Sequence, residues 1–331
     1  MTPSRHQQSG VALMMVLLAF ALAGIFTTGM MTRQMLMIQG TGHYLTQSEA
    51  QSLAMGAEAF ARQILWRDWE SDNNDGSFVD DPQEDWAANS VALPVDQGSI
   101  EAQINDLQGR LNLNDLVNRQ GEVNPLQMER VERLLEVLDV RSVTVEALID
   151  WIDPNDDTSG PGGAEDGDYL MYDPPYRAAD RPMAQISELR LLDGIERGDY
   201  LRLRPHVTAL PLTGQPLNVN MLSVPVIMSL HEDISEAAAE SVFASREEEG
   251  RFEDVQAFIG RDEFAGMGMD GEGLGVRSFF FEAASRVTVG SNVYHLVSTL
   301  YRNPEGEIAV ISRDAGQTGV ITKERIETPQ G

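Results

Sequence analysis

From Val11 to Thr32 the chain reads VALMMVLLAFALAGIFTTGMMT, uncharged and almost wholly apolar, with Arg5 in the polar stretch before it and Arg33 directly after. As a helix rising ~1.5 Å per residue, that run is about 33 Å long, enough to cross a bilayer core of about 30 Å. Ala21, Leu22 and Ala23 form an A-x-A pattern that an ordinary secretory signal would offer for cleavage. The product would begin GIFTTGMMTRQMLMI, still apolar, so one retained span is the preferred reading. Arg5 and Arg33 nearly balance across it, and charge alone does not orient the chain.

Beyond the span the helical pattern persists. Ala50, Leu53, Ala57, Phe60 and Ile64 recur at three- and four-residue spacing, with Gln51, Glu58, Arg62 and Gln63 between them, and no proline interrupts Thr41 to Asp81. The pattern predicts one helix from Val11 to near Trp66, apolar all round in its first half and amphipathic in its second.

The 331 residues carry 52 acidic and 24 basic side chains, a formal charge of −28, with 42% hydrophobic residues and no cysteine. The apolar content suffices for a packed core. The charge disfavours nucleic acid and anionic headgroups, whose binding rests on Lys and Arg, and favours cations. Disulfides, thiolate zinc sites and cysteine nucleophiles are excluded. His6, His43, His206, His231 and His295 lack metal-ligand spacing, and neither a G-x-S-x-G nor a Walker loop occurs, so an enzyme is not expected.

The acids are bunched. Asp68 to Asp85 and Asp150 to Asp173 each hold eight carboxylates and no Lys or Arg. The first run has no evident role. The second, DWIDPNDDTSGPGGAEDGDYL, combines oxygen ligands with a turn-rich loop. Asp153, Asn155 and Asp157 have the 1, 3, 5 spacing of a calcium loop, and Glu165 lies one place beyond the twelfth position. Thr158 stands where an EF-hand needs Gly, so this is not an EF-hand. Asp156, Asp166 and Asp168 complete the candidate ligand set. Calcium suits an all-oxygen shell better than zinc; a solvated acidic loop is the alternative.

Ser99 to Val117 predicts a strand containing Ile100, Ala102 and Ile104, a turn at Gly109 and a second short strand. Helical patterns come next at Val131 to Leu138, Val145 to Ile152, Ile186 to Leu192, Val224 to Leu230, Ser235 to Arg246 and Phe252 to Ile259. LNLNDL at Leu111 and LNVNML at Leu217 repeat one pattern, whose asparagines are expected to cap turns. LLDGI at Leu191, near Arg197, Arg202 and Arg204, faintly resembles a helix-hairpin-helix turn; the alternative of a membrane-anchored DNA-binding protein is opposed by the net charge. GMGMDG from Gly266 reads as a loop rather than a dinucleotide motif. Phe279 to Val289, Val293 to Arg302 and Glu307 to Arg313 predict a three-strand antiparallel meander, joining the strands near Ser99 to Leu113 on the long helix.

A short polar leader ending in Gly10, with a long helix that turns amphipathic directly after it, resembles the type IV pilin class. The runs GRLNLNDL, DWIDPND with GAEDGDY, SELRLLDGI and LNVNML together resemble the K-type minor pseudopilins of type II secretion (the GspK family) over almost the whole chain. The resemblance implies an α+β pilin-like fold, a long N-terminal helix on an antiparallel sheet, with a large all-helical domain inserted. Residues 1–10 would be a prepilin leader, 11–70 the N-terminal helix and 71–116 the first part of the head. Residues 117–265 would be the calcium-binding insert, and 266–331 the closing meander and tail.

The resemblance further implies cleavage by prepilin peptidase between Gly10 and Val11, N-methylation of Val11, and an inner-membrane anchor with its N-terminus cytoplasmic and its head periplasmic. I-type and J-type minor pseudopilins and the inner-membrane secretion platform would be partners. The subunit would prime pseudopilus assembly at the tip; a minor pilin of a type IV pilus is the nearer alternative. Most members of the pilin class carry Glu at the fifth mature position, which here is Met15. A buried carboxylate needs a partner in the apolar bundle and a methionine does not, which suits a subunit with no neighbour ahead of it.

Overall fold

The computed structural model describes residues 9–331 except 97, 119, 249, 319–320, 324 and 328–331. Residues 1–8 of the expected leader lie outside the described residues. The helix read from the sequence is one unbroken element, α1 (Ser9–Asp75), 67 residues long. It continues past Trp66 because tertiary contacts hold its last turns. Asp68 meets Arg302 at 2.7 Å, and the Trp69 indole donates to the Pro304 carbonyl at 3.1 Å.

Beyond it come α2 (Asp85–Ala88), β1 (Ser90–Val95), β2 (Gly98–Asp106) and β3 (Leu111–Asn112). The next elements are α3 (Pro125–Val137), α4 (Val145–Ile152), α5 (Asp166–Tyr169), α6 (Arg197–Leu203), β4 (Val207–Thr208) and β5 (Leu217–Asn218). The chain continues through α7 (Val224–Ser229), α8 (Glu236–Glu248), α9 (Val255–Ile259) and β6 (Leu274–Gly275). It closes with β7 (Phe280–Val289), β8 (Asn292–Arg302), β9 (Ile308–Asp314) and β10 (Arg325–Glu327). Six strands form one sheet in the order β10-β1-β2-β7-β8-β9, antiparallel except where β10 runs parallel to β1. The expected meander is β7-β8-β9; β1 and the edge strand β10 add to what the sequence showed.

Small residues let α1 lie close on the sheet. Ala50 and Ala54 pack on Val287, Val289 and Leu296, and farther along Ala61 and Leu65 pack on Ile104, Phe281, Ala283 and Leu300. The helix carries one buried acid into this seam. Glu58 accepts from both Arg313 Nε and Nη2, at 2.7 and 2.8 Å, and from the Ser298 hydroxyl at 2.6 Å. The Arg313 pairing lets a carboxylate sit against the sheet without an unmatched charge.

Asp106 at the end of β2 pairs with Phe281 on β7, so everything from Leu107 to Phe279 is inserted between two hydrogen-bonded neighbours. This interruption is wider than the expected 117–265. Leu111 does not join the main sheet either, in contrast to the expected second strand: it pairs in parallel with Val207, inside the insert. The reason is burial. Leu111, Leu113, Leu134, Leu148, Ile149, Tyr169 and Phe258 belong to a core separate from the one beneath α1. Its helices begin at caps legible in the sequence: Asn124 before Pro125 accepts from the Gln127 N–H, and Thr144 accepts from the Ala147 N–H.

The repeated asparagines hold this core in register. Asn112 accepts from the Asn114 and Leu210 N–H groups, and Asn218 from the Asn220 N–H. Two places on, Asn114 exchanges hydrogen bonds with both backbone groups of Met183, and Asn220 does the same with Phe252. The capping role expected of the repeat is one part of a larger one, since Asn114 and Asn220 act as buried backbone partners for distant segments.

Candidate functional site

Two features separate from the packed core define what this chain can do. One is the bare half of α1. Every side chain from Val11 to Tyr44 is exposed, including Val11, Met15, Phe20, Phe26 and Ile38, and the stretch is long and apolar enough to cross a membrane. Such a surface has no place in water. Gly10 and Val11 lie within the first turns of this helix, and Met15 on its open flank.

The other is the acidic loop, which α4 delivers and α5 ends. Asp150 on the last turn of α4 is fully buried, and Asp153, directly after α4, and Glu165, capping α5, are nearly so. Asp150 Oδ1 accepts from the Ser159 N–H at 2.8 Å, curling the loop back on the helix. Asp150 Oδ2 and both Glu165 oxygens are buried without a hydrogen-bond partner among the described residues. Gly163 makes this possible, because a Cβ there would stand 2.1 Å from Asp150 Oδ2. Burial, then the charges of Asp150, Asp153, Asp180 and Asp156, push the Glu165 carboxyl up to about 7. Burial likewise raises Asp153, with Asp150 and Asp180 adding to it.

The seven candidate ligands are therefore divided by the fold. Asp153 and Glu165 are buried and feel the charge of the buried Asp150, while Asn155, Asp156 and Asp157 are exposed on the turn between them. Asn155 Oδ1 accepts from the Asp157 N–H at 2.9 Å. Asp166 pairs with Arg177 and accepts from the Ala178 N–H, and Asp168 caps α5 by accepting from the Glu165 N–H. Asp150 and Asp180 were not among the seven. Asp150 reads as part of an amphipathic helix, and Asp180 lies beyond the acidic run; the apolar burial of DWID at the helix end was the signal for the former.

The first acidic run also has a structure. Asp68, Asp80 and Glu84 each offer an oxygen within 4.8 Å of the others. Their cation is already present: Arg302 donates to Asp68 at 2.7 Å and to Asp80 at 2.5 Å, with its guanidinium over the Phe281 ring. This triad is the joint between α1, the loop after it and β8.

The fold and its exposed anchor define a membrane-anchored pilin-like subunit, enlarged by a helical insert with a carboxylate-lined loop. Models of type II secretion system protein K match residues 109–212 and 217–277, both within the insert. The type II secretion system protein K of Pseudomonas aeruginosa is 37% identical over 322 residues, 96% of this chain and 95% of that protein. That of Aeromonas hydrophila is 29% identical over 94% of this chain and 98% of that protein. Among solved structures, a chain of the GspK-GspI-GspJ complex from enterotoxigenic Escherichia coli matches with a TM-score of 0.74 and 26% identity. That match covers 84% of this chain and 99% of the other. The chain belongs to the type II secretion system protein K family, and its role is that of a minor pseudopilin in type II secretion.

Proposed function

We propose that this subunit caps the type II secretion pseudopilus in complex with I-type and J-type minor pseudopilins, priming its assembly for export of folded proteins across the outer membrane. The carrying observation is the likeness over 84% of the chain to a structure solved as a GspK-GspI-GspJ complex. The role is structural rather than enzymatic. The bare half of α1 supports packing among neighbouring pseudopilin helices, and the insert adds bulk that would obstruct another subunit above it. The span from Val11 to Thr32 lies in the inner membrane, N-terminus cytoplasmic and head periplasmic. Prepilin peptidase cuts between Gly10 and Val11, Val11 is then N-methylated, and Met15 spares the tip subunit an unpartnered carboxylate.

The buried Asp150, Asp153 and Glu165, with Asp150 Oδ2 and both Glu165 oxygens lacking a hydrogen-bond partner among the described residues, fit a calcium ion in chemistry and charge. Bound there, calcium would supply the positive charge that these carboxylates lack, and its role is to hold the loop between α4 and α5.

Co-purification of the full-length chain with I-type and J-type subunits from membranes tests the assembly. Recovery with type IV pilus subunits instead would overturn it. A Gly10→Ser chain should accumulate as uncut precursor, and mature-sized protein from that variant would sink the cleavage reading.

A further inference from the structure

A polar cavity lies in the insert, lined by none of the acidic-loop residues. It has a volume of about 190 Å³ and is bounded by β3, the turn after it, the start of α3, the segment before β5 and Gly273. Arg130 on α3 is 5% exposed, yet it forms no ion pair among the described residues. Its Nη2 donates to the Glu272 carbonyl at 2.8 Å, and its Nε is buried without a partner. On the same wall, Asn112 is 5% exposed and commits Oδ1 to two backbone N–H groups; its Nδ2, turned toward Asp115, makes no hydrogen bond of ordinary geometry. The half-buried Arg110 also lines the cavity.

Buried cations in folded proteins are paired, because an uncompensated charge costs several kcal/mol to bury. In a chain with more than twice as many acids as bases, Arg130 still closes on no carboxylate among the described residues. Asp270 and Glu272 lie near enough to favour its charged form, but neither closes on it. Asp115, also on the wall, accepts from the Gly214 N–H at 2.7 Å. Water could satisfy the orphan N–H groups, though it would bring no negative charge into contact with the guanidinium. A tetrahedral or planar oxyanion would do both, since guanidinium donors match carboxylate and phosphate. The cavity is smaller than the ~300 to 1,000 Å³ of pockets that take larger ligands.

We propose that this cavity is a binding site for a small oxyanion, a carboxylate or inorganic phosphate, held by Arg130 with Arg110 and Asn112. Asp115 and Glu272, which also line the cavity, oppose the ligand's charge and weaken its binding. None of the acidic-loop residues lines the cavity.

The test uses the full-length chain in detergent micelles at constant ionic strength, titrating sodium phosphate or sodium acetate against chloride and monitoring thermal unfolding. A saturable rise of the midpoint with either anion is expected, and the tighter of the two identifies the class. Arg130→Met should abolish the saturable part, and Arg110→Gln should raise the half-saturating concentration at least threefold. A non-saturable effect, or the same saturable effect in Arg130→Met, overturns the proposal. If Arg130→Met does not fold, an unchanged half-saturation in Arg110→Gln overturns it instead.

Discussion

Arg302 on β8 and Asp80, in the loop after α1, form an ion pair at 2.5 Å with Arg302 1% and Asp80 0% exposed. The pair ties the end of the anchor helix to the sheet, because the same guanidinium reaches Asp68 on α1 and the Ser278 carbonyl where the insert returns. Asp80 Oδ2 accepts from the Ser278 N–H at 2.7 Å. Anchor, sheet and insert therefore meet at one buried charge cluster. Arg302→Met strands two carboxylates there and is expected to cost about 3–5 kcal/mol, read from the urea midpoint of the chain in detergent. Arg302→Met combined with Asp80→Asn should cost less than the sum of the single changes, and strict additivity would mean that the pair is not coupled.

Stability should also depend on pH through this joint. Burial, then the charges of Asp68 and Asp80, pushes Glu84 up to about 9; burial, then the same two charges, pushes Asp72 up to about 7. The unfolded chain releases these protons in the ordinary carboxylate range of about 4 to 4.3, while the folded chain keeps them. The native state then binds more protons than the unfolded state, so the contribution of these groups is full below about pH 4. It falls as pH rises, and levels off beyond pH 9. Glu84→Gln should match the parent near pH 4 and exceed its melting temperature near pH 9. Equal melting temperatures at both values would refute the assignment.

Calcium dependence is expected from the orphan oxygens of Asp150 and Glu165. Chelator should lower the melting temperature of the parent, whereas Glu165→Gln and Asp150→Asn should be insensitive to it. Asp157→Asn, altering an exposed side chain, should keep the parent's response. A parent indifferent to chelator would remove the ion from the account.

Asn220→Ala exposes no surface but leaves the Phe252 N–H and C=O without their partner, both in the core of the insert. The expected loss is roughly 1–3 kcal/mol, as for a buried hydrogen-bonding group left unsatisfied. Urea denaturation reads the loss, and an unchanged midpoint in Asn220→Ala would refute it.

Some of this molecule is written locally and could be read from sequence. The run Val11 to Thr32 is apolar on every face, so its helix and its need for lipid come from composition and length alone. The alternation in β7 to β9 and the caps at Asn124 and Thr144 are equally local, since each depends on residues within a turn or a strand. The acidic loop after α4 was legible as a region, and the fold buries its Asp153 and Glu165.

The burial of Asp150 beside them was not, because which carboxylates come together depends on how a loop folds back, and spacing along the chain does not encode that. The same reason explains Leu111, whose strand pattern is real but whose partner, Val207, was decided by the core it could join. It explains the acidic run from Asp68 to Asp85 as well. Taken along the chain, those carboxylates only repel one another. They become a joint when β8, more than 200 residues away in sequence, places Arg302 among them. Sequence alone determined the anchor, the element types and the charge. Tertiary structure decided which charges are buried together, because burial raises the energy of an unpaired ion by far more than any local preference.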